Sequence, residues 1–274
     1  MQNLVGKPEY LNRNHHSNGA LPQLSNLHER ISDIGRTGNH VLASLPARTF
    51  VRLQPHFRSV KLEKEDFLYL HGDKIEAVWF PESAAVSEFG MTDDGRMIEI
   101  MSTGNEGVVG IISTFATARA ANHVQVCIPG TAIRIETTFL ERELEASPVL
   151  RLILNEHVSR QLKDLSRNII CNTFHSAEQR FSAWLLRMDD RYHDRRFRLT
   201  HEELARVLGV HRPSVTHIAQ SLRDRGLIEY SRGKVWITDH LGLQEAACLC
   251  FSELCFRSVI RFGDQAAEER LHAA

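Results

Sequence analysis

The sequence lacks the features that mark membrane and secreted proteins. No stretch of its 274 residues approaches the ~18 uninterrupted apolar residues of a membrane-spanning helix, and the N-terminal segment is polar, without an apolar signal core. We therefore expect no membrane span and a cytoplasmic protein. Overall basicity is also absent, because 33 Lys and Arg stand against 34 Asp and Glu, a formal net charge of −1. That balance is unusual for a nucleic-acid-binding protein, whose surface is typically basic.

Cysteine is scarce, and its number is odd. The chain has 5 cysteines, a number that favours reduced thiols in the cytosol over a disulfide framework. Cys248, Cys250 and Cys255 are close in sequence, but no second Cys/His pair lies at a recognisable distance from them. We therefore predict no metal site and expect these side chains to be buried as small hydrophobes. Their role stays open, with a redox or iron–sulfur function as the alternative.

Composition and the pattern of apolar residues divide the chain into five predicted segments. The 42% hydrophobic and 24% charged fractions are ordinary for a globular protein, and the length indicates about two domains. The predicted segments are a mobile polar tail (1–38), a β-roll (39–146), a long helix (147–175), a second folded domain (176–240) and a C-terminal helical extension (241–274).

Short apolar runs predict strands between about Val60 and Ile135. The runs are separated by turn residues at a spacing of about 8–12 residues, which favours an antiparallel barrel or roll over βαβ units. Asp94-Gly95, between two alternating runs, is a strong hairpin signal. Pro129-Gly130 marks another turn.

Two helices are predicted next. Ser147 and Pro148 supply an N-cap and a first-turn proline for a long helix. Its narrow apolar stripe is typical of a seam between two helices. The members of that stripe are Val158, Leu162, Leu165 and Ile169. We predict that this helix packs on its twin in a homodimer, with packing inside one chain as the alternative. A second helix is predicted over about Ala177–Arg191.

Residues 200–228 read as a helix-turn-helix. Thr200 and Glu203 form a capping box, Gly209 can end the first helix, and Pro213 suits the first turn of the second. His211 is expected to cap the second helix. The side chains expected to be free on the second helix are Arg212, Ser214, Thr216, His217 and Gln220.

A hairpin with a basic tip follows, as in a winged helix. Arg232 and Lys234 lie at that tip, between two apolar strands. From Arg195 to Lys234 there are nine basic and four acidic residues, a surplus of five positive charges. The neutral chain thus concentrates basic residues where phosphates would be contacted.

The order of these elements resembles the Crp–Fnr family of bacterial transcription regulators, most strongly over His175–Thr238. The resemblance implies an α+β fold with an antiparallel β-roll (a double-stranded β-helix like that of cyclic-nucleotide-binding domains), a long dimerisation helix and a C-terminal winged helix-turn-helix. It implies base contacts by Arg212, Pro213 and His217, and phosphate contacts by Thr200, His211 and Ser214. Many family members carry Glu where this chain has Pro213, so the operator sequence does not carry over.

The resemblance also implies a degenerate ligand pocket. Cyclic-nucleotide binders of this fold hold the ribose with a glutamate and the cyclic phosphate with an arginine. In this chain Ile111 stands at the glutamate position, and Arg119 only loosely matches the arginine; Gly110 and Ile112 complete the pocket. A ligand hydroxyl buried without a partner costs about 1–3 kcal/mol, so we predict weak or absent cyclic-AMP binding and no cofactor.

Oxygen-sensing relatives hold an iron–sulfur cluster with N-terminal cysteines, whereas this chain has none before Cys127. No nucleotide fingerprint or nucleophile motif indicates an enzyme, so no catalytic residue is assigned. The sequence therefore predicts a homodimeric regulator that binds a pseudo-palindromic DNA site and contacts RNA polymerase. A protein-interaction module with secondary DNA contact is the alternative.

Overall fold

The computed structural model describes residues 37–114, 119–191 and 197–250. The predicted polar tail lies almost wholly outside these ranges, as do Cys255 and two residues of the basic surplus, Arg195 and Arg196. The described chain begins with α1 (His40–Ala43) and α2 (Ala47–Leu53), followed by a 3-10 turn (Gln54–His56). The side chain of Asn39 caps α1 by accepting hydrogen bonds from the backbone N–H groups of Val41 and Leu42.

The next part of the chain forms the predicted antiparallel β-roll. Its strands are β1 (Arg58–Leu62), β2 (Phe67–Tyr69), β3 (Ala77–Pro81), β4 (Ala85–Met91), β5 (Met97–Thr103), β6 (His123–Ile128) and β7 (Gly130–Glu136). They form one sheet in the order β1-β7-β3 and another in the order β2-β6-β4-β5. The strands contribute Leu62, Val86, Val124 and Ala132 to one buried apolar cluster. Gly95, with φ +82°, makes the predicted hairpin turn between β4 and β5.

Two consecutive helices cover one side of the roll. They are α3 (Thr137–Ala146) and the 27-residue α4 (Pro148–Phe174), whose N-cap Ser147 accepts a hydrogen bond from the backbone N–H of Leu150. The Nε2 atom of His157 accepts a hydrogen bond from the N–H of Val108 at 3.1 Å. Farther along α4, the Asn168 amide donates to the carbonyl of Ile100 at 2.7 Å. These contacts hold the long helix along the roll.

The C-terminal part is a small helical domain with a three-stranded sheet. Its elements are α5 (Ala177–Arg191), β8 (Phe197–Arg198), α6 (His201–Leu208), α7 (Arg212–Asp224), β9 (Ile228–Ser231), β10 (Lys234–Ile237) and α8 (His240–Ala246). The sheet order is β8-β10-β9. Phe181, Trp184, Leu185 and Met188 are buried, as their spacing on α5 predicted. Among the described helices, none combines the length and apolar character needed to cross a membrane.

This domain packs directly on the roll. Phe89 on β4 belongs to the same buried apolar cluster as Phe181 on α5. The indole Nε1 of Trp184 donates to the carboxylate of Glu99 on β5, at 3.1 and 3.2 Å from its two oxygens. The two halves therefore share a core and polar contacts.

Candidate nucleic-acid interface

Helix α6, a tight turn and helix α7 form the predicted helix-turn-helix. Both halves of the capping box between Thr200 and Glu203 are present at the start of α6. Gly209 ends α6 in the left-handed conformation, with φ 61°, so the chain can turn at once into α7. Leu204 on α6 and Val215 on α7 are fully buried and pack the two helices together.

The N-terminal half of α7 presents its polar face to solvent. The exposed side chains there are those of His211, Arg212, Pro213, Ser214, Thr216 and His217. The opposite face carries Val215, Ala219 and Leu222, all buried. Arg212 and His217 have no hydrogen-bond or ion-pair partner within the part of the chain that the structure describes. A guanidinium and an imidazole are thus available at the helix end that a recognition helix directs towards base edges.

Other predicted residues have different roles from those expected. His211 occupies the N-cap position of α7, but its side chain makes no capping hydrogen bond, so the expectation that it caps the helix was wrong. Gln220, expected to be free, donates to Asp224 and accepts a 2.8 Å hydrogen bond from Arg223. Thr216 Oγ1 lies 3.3 Å from His201 Nδ1. These side-chain pairings all lie within the described helix-turn-helix.

The hairpin β9–β10 forms the predicted wing. Its tip turns at Arg232 and Gly233, both with positive φ, at 51° and 71°. Arg232 and Lys234 are exposed there. The backbone N–H of Leu199 donates to the Gly233 carbonyl at 2.9 Å, which ties the tip to the segment just before α6. Thr200, next in the chain, is also exposed, so the wing and the start of α6 lie side by side.

The candidate ligand pocket of the roll is a cavity with an empty volume of about 780 Å³. Gly110, Ile111, Ile112 and Arg119 all line it. Ile111 is only 2% exposed and belongs to the apolar core cluster beneath α4. The guanidinium of Arg119 donates to the Gly72 carbonyl at 2.7 Å, so this arginine is held by its own chain.

Sequence reasoning missed Glu88, a carboxylate in the wall of this cavity. Burial raises its pKa, and a side-chain hydrogen bond with Asn122 opposes that rise. The signal was available, because Glu88 interrupts the apolar pattern of β4. Leu162 and Leu165 of α4 line the same cavity, which places the long helix against the pocket.

The apolar stripe predicted on α4 contains two exposed side chains and two partly buried ones. Leu162 is 58% exposed and Ile169 is 68% exposed, although both are large and apolar. Val158 packs partly on the core beneath α4, and Leu165 is half-buried at the cavity. In one chain the helix therefore keeps apolar side chains in solvent beside those that face the roll.

Sequence reasoning also missed a group of potential metal ligands. Cys171, His175, Cys248 and Cys250 place their ligand atoms within 4.8 Å of one another. The prediction of no metal site rested on the apparent lack of a second Cys/His pair. That pair, Cys171 and His175, lies more than 70 residues upstream, one helical turn apart at the end of α4. Cys248 and Cys250 are buried, as expected.

The fold combines a β-roll with a winged helix-turn-helix, an arrangement typical of transcription regulators that bind DNA. Residues 179–246 match the family model of the Crp-like helix-turn-helix domain. The transcriptional activator protein FnrA of Stutzerimonas stutzeri is 26% identical over 201 residues, which cover 68% of this chain and 79% of FnrA. These matches show that the chain contains a Crp-like helix-turn-helix domain and is similar to a transcriptional activator.

Solved structures agree on the fold. FixK2 from Bradyrhizobium japonicum superposes with a TM-score of 0.61 at 15% identity, covering 70% of this chain and 98% of FixK2. A CRP-family transcriptional regulator from Thermus thermophilus gives a TM-score of 0.59 at 19% identity, covering 69% of this chain and 96% of that one. The predicted fold class is thus confirmed.

Proposed function

We propose that this regulator acts in the cytoplasm as a homodimer that reads a pseudo-palindromic DNA site. The observation that carries the proposal is the exposed Arg212 at the N-terminus of α7, on the same helix as His217 and without a partner among the described residues. An arginine in the major groove can bind guanine through two hydrogen bonds, worth about 1–3 kcal/mol of base discrimination. Pro213 offers no polar group to a base, so the operator differs from those of members with Glu at this position.

The phosphate contacts are assigned to the residues around this helix. The backbone N–H groups of the first turn of α7 favour anions, and Ser214 adds a hydroxyl there. His211 is the N-cap residue of α7, and Thr216 Oγ1 lies 3.3 Å from Nδ1 of His201, the residue after Thr200 at the start of α6. Arg232 and Lys234 extend from the wing. These contacts position the protein without reading the sequence.

The exposed stripe of α4 supports the homodimer. Two recognition helices related by a twofold axis would lie ~34 Å apart, one turn of DNA. Because the relative FnrA is named a transcriptional activator, we further propose RNA polymerase as a partner. The division into roll, dimerisation helix and winged helix-turn-helix belongs to the same proposal.

Arg212→Ala tests the proposal. The substitution is expected to weaken binding to a selected operator about 5- to 150-fold, because the loss of a bidentate base contact costs about 1–3 kcal/mol. Fluorescence anisotropy with the operator selected from random duplexes measures the effect. Binding to an unrelated duplex should change much less.

Arg223→Ala is the matched control, since Arg223 is exposed on the same helix but lies at its C-terminal end. It should keep the preference for the operator over unrelated DNA. Equal losses in both variants would contradict base reading by Arg212. A protein that shifts no duplex at all would instead be a protein-interaction module.

We also propose that cyclic AMP does not gate this protein. Ile111 is part of the core and cannot accept a hydrogen bond from a ribose hydroxyl. The guanidinium of Arg119 already donates to the Gly72 carbonyl. Isothermal titration is expected to show no saturable binding of cyclic AMP, with a cyclic-AMP-binding protein of the same fold as the positive control. Micromolar or tighter affinity would overturn this prediction.

A further inference from the structure

Four potential ligands meet where the long helix ends. Cys171 lies in the last turn of α4, and His175 is the residue that caps it. The backbone N–H of His175 donates to the carbonyl of Cys171 at 3.2 Å, which keeps the two residues one turn apart. Cys248 and Cys250 follow α8, at the C-terminal end of the winged domain, and lie next to Cys171 and His175.

The distances match tetrahedral coordination. The Sγ atoms of Cys171 and Cys248 are 3.8 Å apart, and Cys250 Sγ lies 3.9 Å from His175 Nδ1. Zinc–sulfur bonds of ~2.3 Å at tetrahedral angles place two sulfur ligands about 3.8 Å apart. All pairs in the group stay within 4.8 Å, so one small cation can reach all four atoms with little movement.

Three cysteine thiolates and one histidine imidazole favour zinc over other metal ions. Thiolates are soft ligands that favour Zn²⁺, Cu⁺ and iron–sulfur clusters over Mg²⁺, Ca²⁺ or Mn²⁺. Three cysteines with one histidine form a known set for structural zinc, in which the protein fills all four positions. Iron–sulfur clusters are usually held by four thiolates, and this group contains three.

The surroundings suit the charge of such a site. Three thiolates and a neutral imidazole around Zn²⁺ leave a net charge of −1. Arg180 and Arg187 line one cavity together with Cys171 and Cys248. The Nε atoms of both arginines are buried and lack a hydrogen-bond partner among the described residues. Thiolate sulfur accepts hydrogen bonds, so these guanidinium groups can balance the charge of the site.

We propose that Cys171, His175, Cys248 and Cys250 bind a structural Zn²⁺ ion. The ion joins the end of α4 to the end of the winged domain. Only His175 and Ser176 connect α4 to α5 along the chain. A metal bridge at this junction fixes the direction in which the winged domain leaves the long helix. The assignment is independent of the DNA-binding proposal, because metal content is measured without DNA.

Metal analysis of the full-length protein tests the site directly. Protein purified in reducing buffer and desalted is expected to contain about one zinc ion per chain by plasma mass spectrometry, the stoichiometry of one closed four-ligand site. Cys248→Ser and Cys250→Ser should each lose most of that zinc. Cys127→Ser is the matched control and should keep it, because Cys127 lies on β6 and outside the group.

A measurement on the unaltered protein guards against variants that fail to fold. An organomercurial that blocks thiols should release zinc, detected with a chromogenic chelator, and lower the thermal midpoint of unfolding. Cobalt exchanged into the site should give the visible spectrum of tetrahedral Co²⁺ with thiolate charge-transfer bands.

Three results on the unaltered protein would overturn the proposal. They are the absence of zinc from the unaltered protein, iron with acid-labile sulfide in its place, or a disulfide between cysteines of the group found by non-reducing mass spectrometry. Retention of zinc by both cysteine variants would also place the metal elsewhere.

Discussion

Replacing Ile169 by aspartate is expected to convert the proposed homodimer into monomers. Ile169 is 68% exposed in the single chain, so the substitution removes little packing inside it. At a twofold interface the same patch of both subunits meets, so two apolar side chains are lost and two carboxylates are brought together. Burial of each isoleucine contributes about 1.5–3 kcal/mol, and desolvation of the carboxylates adds to the loss.

The affinity for DNA should decrease when the dimer dissociates. Two linked half-site contacts typically bind about 10²- to 10⁴-fold more tightly than one, and Ile169→Asp should lose that advantage. Light scattering coupled to size exclusion gives the mass, and anisotropy with the selected operator gives the affinity.

The control is Met91→Asp, which places the same charge on another exposed apolar side chain, at the end of β4. This variant should stay dimeric. If Ile169→Asp also stays dimeric, the stripe on α4 is not the interface.

Replacing Arg191 by methionine should unfold the protein at a much lower concentration of urea. Arg191 Nη2 lies 2.6 Å from Glu106 Oε1, and the two side chains are only 10% and 15% exposed. Arg191 also donates to the hydroxyl and the carbonyl of Ser102, at 2.8 and 3.1 Å. Removal of one partner leaves the other charge buried and unpaired, which costs about 3–5 kcal/mol of unfolding free energy.

The double variant Arg191→Met/Glu106→Gln is the control for this prediction. It removes both charges, so most of the lost stability should return. Urea titration followed by tryptophan fluorescence measures all three proteins. A double variant as unstable as Arg191→Met would show that packing, and not the unpaired carboxylate, causes the loss.

The effect should depend on pH. Burial alone would raise the pKa of Glu106, but the Arg191 guanidinium, together with backbone hydrogen bonds, lowers that pKa below the ordinary 4.5. The stabilisation is therefore fully present above pH 4.5 and is lost as the pH falls through the lowered value. The gap in unfolding free energy between the natural protein and Arg191→Met should narrow over that range.

Local sequence signals predicted the parts of the fold that depend on nearby residues. Thr200 with Glu203, Gly209, and Ser147 with Pro148 mark helix ends through contacts that reach only a few positions along the chain. The Asp94-Gly95 turn is equally local. Each of these features is present in the structure. Alternation of apolar residues likewise predicted the antiparallel roll, because it sets which face of a strand is buried.

Two sequence-based predictions failed because helix spacing does not decide which hydrogen bonds a side chain makes with its neighbours. His211 stands where a cap is expected, but a suitable position does not ensure that its ring turns back to the helix. Gln220 is a surface position by its spacing, yet Arg223 and Asp224 engage it.

The sequence by itself determined the winged helix-turn-helix and the exposed arginine at its recognition helix, since both follow from helix periodicity and capping. It also showed that the apparent neutrality of the chain conceals a local basic surplus. Only the tertiary structure brought three of the scarce cysteines together with His175. Cys171 and Cys248 are 77 positions apart. Their meeting depends on how the winged domain folds back on the long helix, which no local pattern records.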